Sequence, residues 1–206
     1  MRRAFRYGRR MAMDLRLEEC RGGGIVARIP ELGRLRIAVF REYPYLYDGQ
    51  WEAEMKYLRT YAMAAGSYVC LVWDGGELVG ASTCVPMTEA EEAFRKPFAD
   101  AGRDLARICY FGESVLLPGY RGHGVGREFF RRRQAEAARL GLPVTTFCAV
   151  DRPADHPARP KNHRPLDAFW ESLGYLRRPE LRAVFPWKET GGDDESDHTL
   201  TFWTKG

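Results

Sequence analysis

Apolar and polar positions change period repeatedly along the chain, and each change marks an expected element. The run Gly24-Ile-Val-Ala-Arg-Ile29, introduced by Gly22 to Gly24, reads as a first strand. Pro30 suits the first turn of a helix, and Leu32, Leu35, Ile37, Ala38, Val39 and Phe40 give it a broad apolar face to about Glu42. A loop with Tyr43, Tyr45, Tyr47 and Asp48 leads to a second helix, from about Trp51 to Ala65, ended by Gly66. Ser67 to Trp73 and Leu78 to Val85 are β-rich, and Asp74-Gly75-Gly76-Glu77 between them is a hairpin signal. Thr88 to Ala106 is charged and helix-permissive, and is expected to form one or two short surface helices.

Ile108 to Leu117 reads as a central strand, which Pro118, lacking an N–H, brings to an end. A glycine-rich turn follows, and then a helix from Val125 to Leu140. On it Val125, Phe129, Phe130, Ala137 and Leu140 fall within an arc of roughly 140° at about 100° per residue. Arg133 and Glu136 share that arc, for which the sequence offers no reason. The run Arg131 to Arg133 reads as a solvated face rather than a nucleic-acid patch. Val144 to Val150 is another strand. The loop 151–165, stiffened by prolines at 153, 157, 160 and 165, is longer than most connections and so is expected to be functional. A helix from Leu166 to Leu173 ends at Gly174. Strands Leu181 to Trp187 and Thr199 to Thr204 close the chain across an acidic turn, Gly191 to Asp197.

Composition adds bounds. At 206 residues, 45% hydrophobic and 29% charged, the chain is ordinary for one globular domain with a sizeable core. No apolar run approaches bilayer length, so no membrane role is expected. Five scattered cysteines without a C-x-x-C point to reduced thiols in a cytoplasmic setting. The net charge of +4 misleads, because Arg2, Arg3, Arg6, Arg9 and Arg10 supply more than all of it. Residues 1–13 are therefore read as a basic, disordered extension ahead of a start near Met13, and 14–206 as the folded domain. A nucleic-acid role would rest on that tail alone, and none is expected. His156 and His163, with Asp151 and Asp155 nearby, lack a metal-site spacing, and no metal is expected.

The chemistry concentrates between Glu113 and Gly141. Gly122, Gly124 and Gly126, at every second position, leave backbone N–H groups uncovered where a helix begins, a setting that favours an anion. Arg121 adds a charged fork suited to phosphate. The turn lacks the G-x-G-x-x-G of a dinucleotide fold, since Arg127, Glu128 and Phe129 follow Gly126, and the Gly-Lys-Ser/Thr of a P-loop. It resembles the pyrophosphate loop of the GNAT superfamily of acyl-CoA-dependent N-acyltransferases. That pattern is hydrophobic-x-Pro, two residues, then Arg/Gln-x-x-Gly-x-Gly/Ala opening a helix. Leu116-Leu117-Pro118, Arg121 and Gly124-Val125-Gly126 fill it, and the order of elements from Ile25 to Thr204 is that of the GNAT fold.

The resemblance implies an α/β architecture: a central mixed sheet flanked by helices, with two central strands splayed so that the pantetheine arm lies in the gap. It implies acetyl-CoA as cofactor, held by Ser114, Val115, Leu116, Leu117, Arg121, Gly122, His123, Gly124, Val125, Gly126, Arg127 and, less directly, Asn162. Glu113 stands where GNAT enzymes often hold a general base; a structural carboxylate paired with an arginine is the equal alternative. The N–H of Leu116 is the expected oxyanion donor. The family's usual thiolate acid is a tyrosine, but Trp170 takes its place here, leaving Tyr110 and Tyr175 as weaker candidates. Tyr45, Tyr47, Asp48 and His156 are expected to wall the acceptor pocket, with core packing an equal role for the tyrosines. Cys148 reads as a small buried hydrophobe before a nucleophile. The implied activity is acetyl transfer to a primary amine of a small molecule or peptide by direct attack in a ternary complex. A non-catalytic acyl-CoA sensor is the alternative, and a homodimer through the last strands is possible.

Overall fold

The computed structural model describes residues 14–206; the basic extension expected over residues 1–13 lies outside them. The first strand is β1, Leu15–Arg21, and not the expected segment 24–29. Leu15, Leu17 and their neighbours pair antiparallel with β2 (Tyr68–Asp74), from Leu15↔Asp74 to Arg21↔Tyr68. Gly22–Arg28, released from the ladder by its three glycines, coils instead into a short 3-10 helix that buries Ile25.

Two helices follow, α1 (Ile29–Phe40), with Pro30 in its first turn, and α2 (Trp51–Met63). β2 turns into β3 (Glu77–Pro86) at the expected hairpin, and the charged segment beyond holds one helix, α3 (Glu92–Asp100). Then come β4 (Ile108–Leu116), α4 (Val125–Arg139), β5 (Val144–Val150) and a six-residue α5 (Asp167–Ser172). The last pair, β6 (Leu176–Lys188) and β7 (Glu195–Lys205), is longer than expected. Asp197 and Ser196, placed in a turn by composition, pair with Pro186 and Trp187, because cross-strand packing beneath them outweighs the low β preference of acidic residues. A register shift between Arg178 and Arg182 absorbs Pro179, which has no N–H for the ladder.

The strands form one seven-stranded sheet in the order β1-β2-β3-β4-β5-β7-β6. Every neighbouring pair is antiparallel except β4 and β5. One face carries α4, whose Val125, Phe129 and Phe130 pack on Cys70, Val72, Val79 and Phe111. The other carries α1 and α2, whose Leu32, Leu35 and Leu58 cover Val69, Leu71, Ala81 and Val115. Further along that second face, Phe98 of α3 packs with Tyr110, Leu181 and Phe202. Each such side chain contributes about 1.5–3 kcal/mol on full burial, so the two faces hold the sheet from both sides.

The two charges in the buried arc of α4 now have partners. Arg133, 1% exposed, lies over the rings of Phe111 and Phe130, 4.5 and 4.7 Å from their centroids. Glu136 accepts from Arg21 at 2.9 Å and Arg139 at 2.7 Å, tying α4 to β1. Among the described residues, no helix is long and apolar enough to cross a membrane.

Candidate active site

β4 and β5 pair only at their beginnings, Ile108↔Val144, Cys109↔Thr145 and Tyr110↔Thr146, and part beyond Tyr110. The parting coincides with a bulge. Phe111 opposes Cys84 and Ser114 opposes Ser82, so Thr83 alone faces both Gly112 and Glu113. Gly112 is required there, since a Cβ on it would stand 2.5 Å from Thr83 Oγ1, the atom that accepts the Glu113 N–H at 3.1 Å. The extra residue reverses the alternation of side chains. Tyr110, Glu113 and Val115 consequently share the α1–α2 face, whereas an unbroken strand would turn Glu113 toward α4.

Past the bulge, Leu117 N–H donates to Val79 O at 2.9 Å. Because successive residues direct their backbone groups to opposite sides of a strand, Ser114 and Leu116 turn theirs into the gap. Leu116 O, on that open side, accepts from Arg121 Nε at 3.0 Å.

The loop beyond is built as its glycines suggest. Gly122 and Gly124 have φ of +80° and +85°, a region that L side chains rarely adopt, and a Cβ on either would meet nothing within 4 Å. Gly124 is the N-cap of α4. The N–H groups of residues 122–127 donate to no acceptor among the described residues; the first committed amide is Glu128, to Gly124 O at 3.1 Å. A row of free donors at the start of a 15-residue helix fits a pyrophosphate. Arg121 lies beside them, with Nη2 on Glu42 Oε2 at 2.8 Å. A pair this exposed is worth about 0.2–1 kcal/mol, so a pyrophosphate can replace the carboxylate at small cost. His123 and Arg127 are exposed at the same end, Arg127 standing 5.8 Å over the ring of Phe169. Asn162 is exposed in the Pro-rich loop and makes no hydrogen bond to another described residue.

Glu113 is buried at the foot of a charged cluster that joins three elements. Arg36 Nη1 of α1 stands 2.6 Å from Glu113 Oε1, off the line of a hydrogen bond, while its Nε donates to Glu54 Oε2 of α2 at 2.6 Å. The guanidinium also lies 4.4 Å from the Tyr57 ring centroid, and Tyr57 OH reaches Glu113 Oε2 at 3.5 Å. The arginine partner weighed in the sequence is thus present. Burial raises the Tyr57 phenol well above its ordinary range, with the Glu113 charge adding to the effect and Arg36 opposing it. Burial likewise raises Tyr47, to about 12, with Glu54 next in weight.

The expected acceptor wall is mostly occupied by packing. Tyr45 stacks near Phe40 and Trp187, and its carbonyl accepts from Arg152 Nη2 at 2.8 Å and Trp187 Nε1 at 3.1 Å. Asp48 pairs with Arg41 at 3.0 Å and faces Lys188 at 3.8 Å. Tyr47 bridges to Glu189. His156 accepts from Ala158 N–H, and its ring and that of His163 flank Tyr43. No group of three or more His, Cys, Asp or Glu among the described residues is placed to hold a metal.

Trp170 packs between Phe147 and Trp203, both with centroids 5.1 Å away. Tyr175 is fully buried, its hydroxyl 2.9 Å from Thr145 Oγ1. Tyr110 differs: its hydroxyl lies 3.4 Å from Cys148 Sγ where the strands part, and burial keeps both protonated, the thiol pushed up to about 12. Sequence reasoning missed Arg36, Tyr57 and Glu91. A charged residue inside the apolar stripe of α1 and a glycine within β4 were the available signals.

A family model described as the acetyltransferase (GNAT) family matches residues 34–175, from α1 through the loop to Tyr175. Solved structures share the fold at low identity. A ribosomal-protein-alanine N-acetyltransferase from Brucella melitensis is 16% identical, with 92% of this chain and 98% of that one covered and a TM-score of 0.57. A Salmonella typhimurium structure, described as an acetyltransferase with its cofactor acetyl-CoA, is 16% identical over 94% and 93%, with a TM-score of 0.55. An acetyltransferase from Thermus thermophilus is 15% identical over 94% and 99%, with a TM-score of 0.57. No curated protein matches the sequence.

Proposed function

The chain belongs to the GNAT acetyltransferase family, and from that premise we propose that it transfers an acetyl group from acetyl-CoA to a primary amine by direct attack in a ternary complex. The observation that carries the reading is the row of uncommitted N–H groups at 122–127, continuous with an open strand edge at Ser114 and Leu116. When bound, acetyl-CoA supplies a thioester whose carbonyl carbon takes the amine nitrogen and whose sulfur leaves.

The chain's residues then divide the labour. The amides of 122–127, with Arg121, bind the pyrophosphate. The open-side N–H groups of Ser114 and Leu116 hold the extended arm, and that of Ser114, the nearer to Glu113 and the parting, receives charge that develops on the carbonyl oxygen; one such donor is worth about 10²–10³ in rate. Glu113 takes up the amine proton through Tyr57, a step worth about 10²–10⁴. Tyr110, held protonated at the parting, is the hydroxyl placed to return a proton to the departing sulfur, and Trp170, an indole in an aromatic cluster, is not.

The test is release of free thiol from acetyl-CoA in the presence of a panel of primary amines, with CoA affinity measured calorimetrically alongside. Amine-dependent release supports transfer. CoA binding without release for any amine moves the chain to the sensor reading, and no CoA binding defeats both.

A further inference from the structure

A narrow cleft of about 40 Å³ opens between α2 and the start of α3, on the same face of the sheet as Glu113. Tyr57 and Tyr61 form one side, Phe94 the other, and Tyr110 the floor, with Glu89 and Glu91 at the rim. The floor is the tyrosine at which β4 and β5 part, and Tyr57 connects it to Glu113. The cleft therefore leads from solvent to the place where an amine would react.

Its charges are one-sided. No lysine or arginine lines it. Glu89 is engaged, accepting from the Gly66 N–H at 2.9 Å. Glu91 is not. It stands at the N-cap of α3, yet its carboxylate makes no cap hydrogen bond and no ion pair among the described residues. Its side chain is exposed, and partial desolvation at the rim raises its pKa, with Arg36 opposing and Glu113 pressing the same way.

An amine must be neutral when it attacks, so a fixed carboxylate at the rim has no lasting use for the reacting nitrogen. It matches a group that stays positive throughout, with an apolar body between the two lying on aromatic walls. Building on the acetyl-transfer reading, we infer that the acceptor is a small amine carrying a second group that stays positive at neutral pH, held at the rim by Glu91 while the reacting nitrogen sits over Tyr110.

The experiment compares cadaverine with pentylamine, equal in carbon length and differing in the second charge. Binding to the full chain without acetyl-CoA is followed by calorimetry, and KM and kcat are measured with acetyl-CoA. The wild type should prefer cadaverine, and Glu91→Gln should weaken cadaverine by about 2- to 5-fold. The loss should appear in affinity and KM and leave kcat unchanged. Pentylamine should be unaffected, Glu91→Asp should recover much of the loss, and the preference should shrink in high salt. Equal binding of the two amines by the wild type, no binding of either, or an equal effect of Glu91→Gln on both overturns the inference. If neither amine is acetylated while Glu91→Gln still weakens cadaverine binding alone, the transfer reading falls and the cleft assignment stands.

Discussion

Arg36 is the sharpest place to perturb the charged cluster, because one guanidinium faces two carboxylates that are both out of water. The side chains of Arg36, Glu54 and Glu113 are 10%, 3% and 5% exposed. Arg36→Met keeps most of the apolar stem and removes the guanidinium, which lies over the rings of Phe40 and Tyr57. Two buried carboxylates then lose their cation, and removing one partner of a buried pair costs about 3–5 kcal/mol. At about 2–4 °C per kcal/mol for a chain of this size, the expected fall in Tm is about 6–20 °C. Urea unfolding followed by tryptophan fluorescence gives the free energy directly. The cause is isolated by adding Glu54→Gln and Glu113→Gln to the Arg36→Met background. Most of the lost stability should return, since the penalty lies in the stranded charges and not in a missing contact. CoA affinity should hold at temperatures where the variant is folded, because Arg36 makes no contact with residues 122–127. A loss under about 1 kcal/mol, the range of an exposed pair, or a triple variant no better than the single one, would refute the reasoning.

Two further outcomes follow from the loop and the parted strands. Gly124→Ala meets no neighbour but forces an alanine into a left-handed conformation, which costs about 1–2 kcal/mol; Tm should fall by a few degrees, and its Cβ, placed among the free amides, should weaken CoA binding by about tenfold, unchanged affinity counting against the pyrophosphate assignment. Cys148, with its thiol held at about 12 by burial, is neutral at pH 8, so only about one molecule in 10⁴ carries a thiolate. Native alkylation mapped by mass spectrometry should therefore rise about tenfold per pH unit from pH 7 to 9 without levelling, and a plateau in that range would mean an activated thiol.

The legible parts of the fold were those set by neighbours along the chain. The hairpin at Asp74–Glu77, the Pro30 helix start and the loop from Pro118 to Gly126 are local chemistry, and each lies where its turn residues put it. The errors came where long-range pairing outweighs local preference. Gly22–Arg28 carries Ile25 and Val26, which suit a strand, but the partner strand β2 is already taken by Leu15–Arg21. Glu195–Asp197 has poor strand propensity and is held in β7 by Lys188, Trp187 and Pro186 across from it.

For the site, sequence alone determined a loop that can grip linked phosphates, because positive-φ glycines and a helix start need nothing distant to act. It also placed a carboxylate at 113 on the strand leading into that loop. Only the tertiary structure decided which way that carboxylate faces, since a single extra residue opposite Thr83 reverses the alternation. It likewise supplied Arg36 and Tyr57 as its partners and assembled the cleft under Glu91 from two helices and two strands. A backbone turn is specified by torsions of adjacent residues, whereas the ionic and aromatic surroundings of a side chain depend on segments that only folding brings into range.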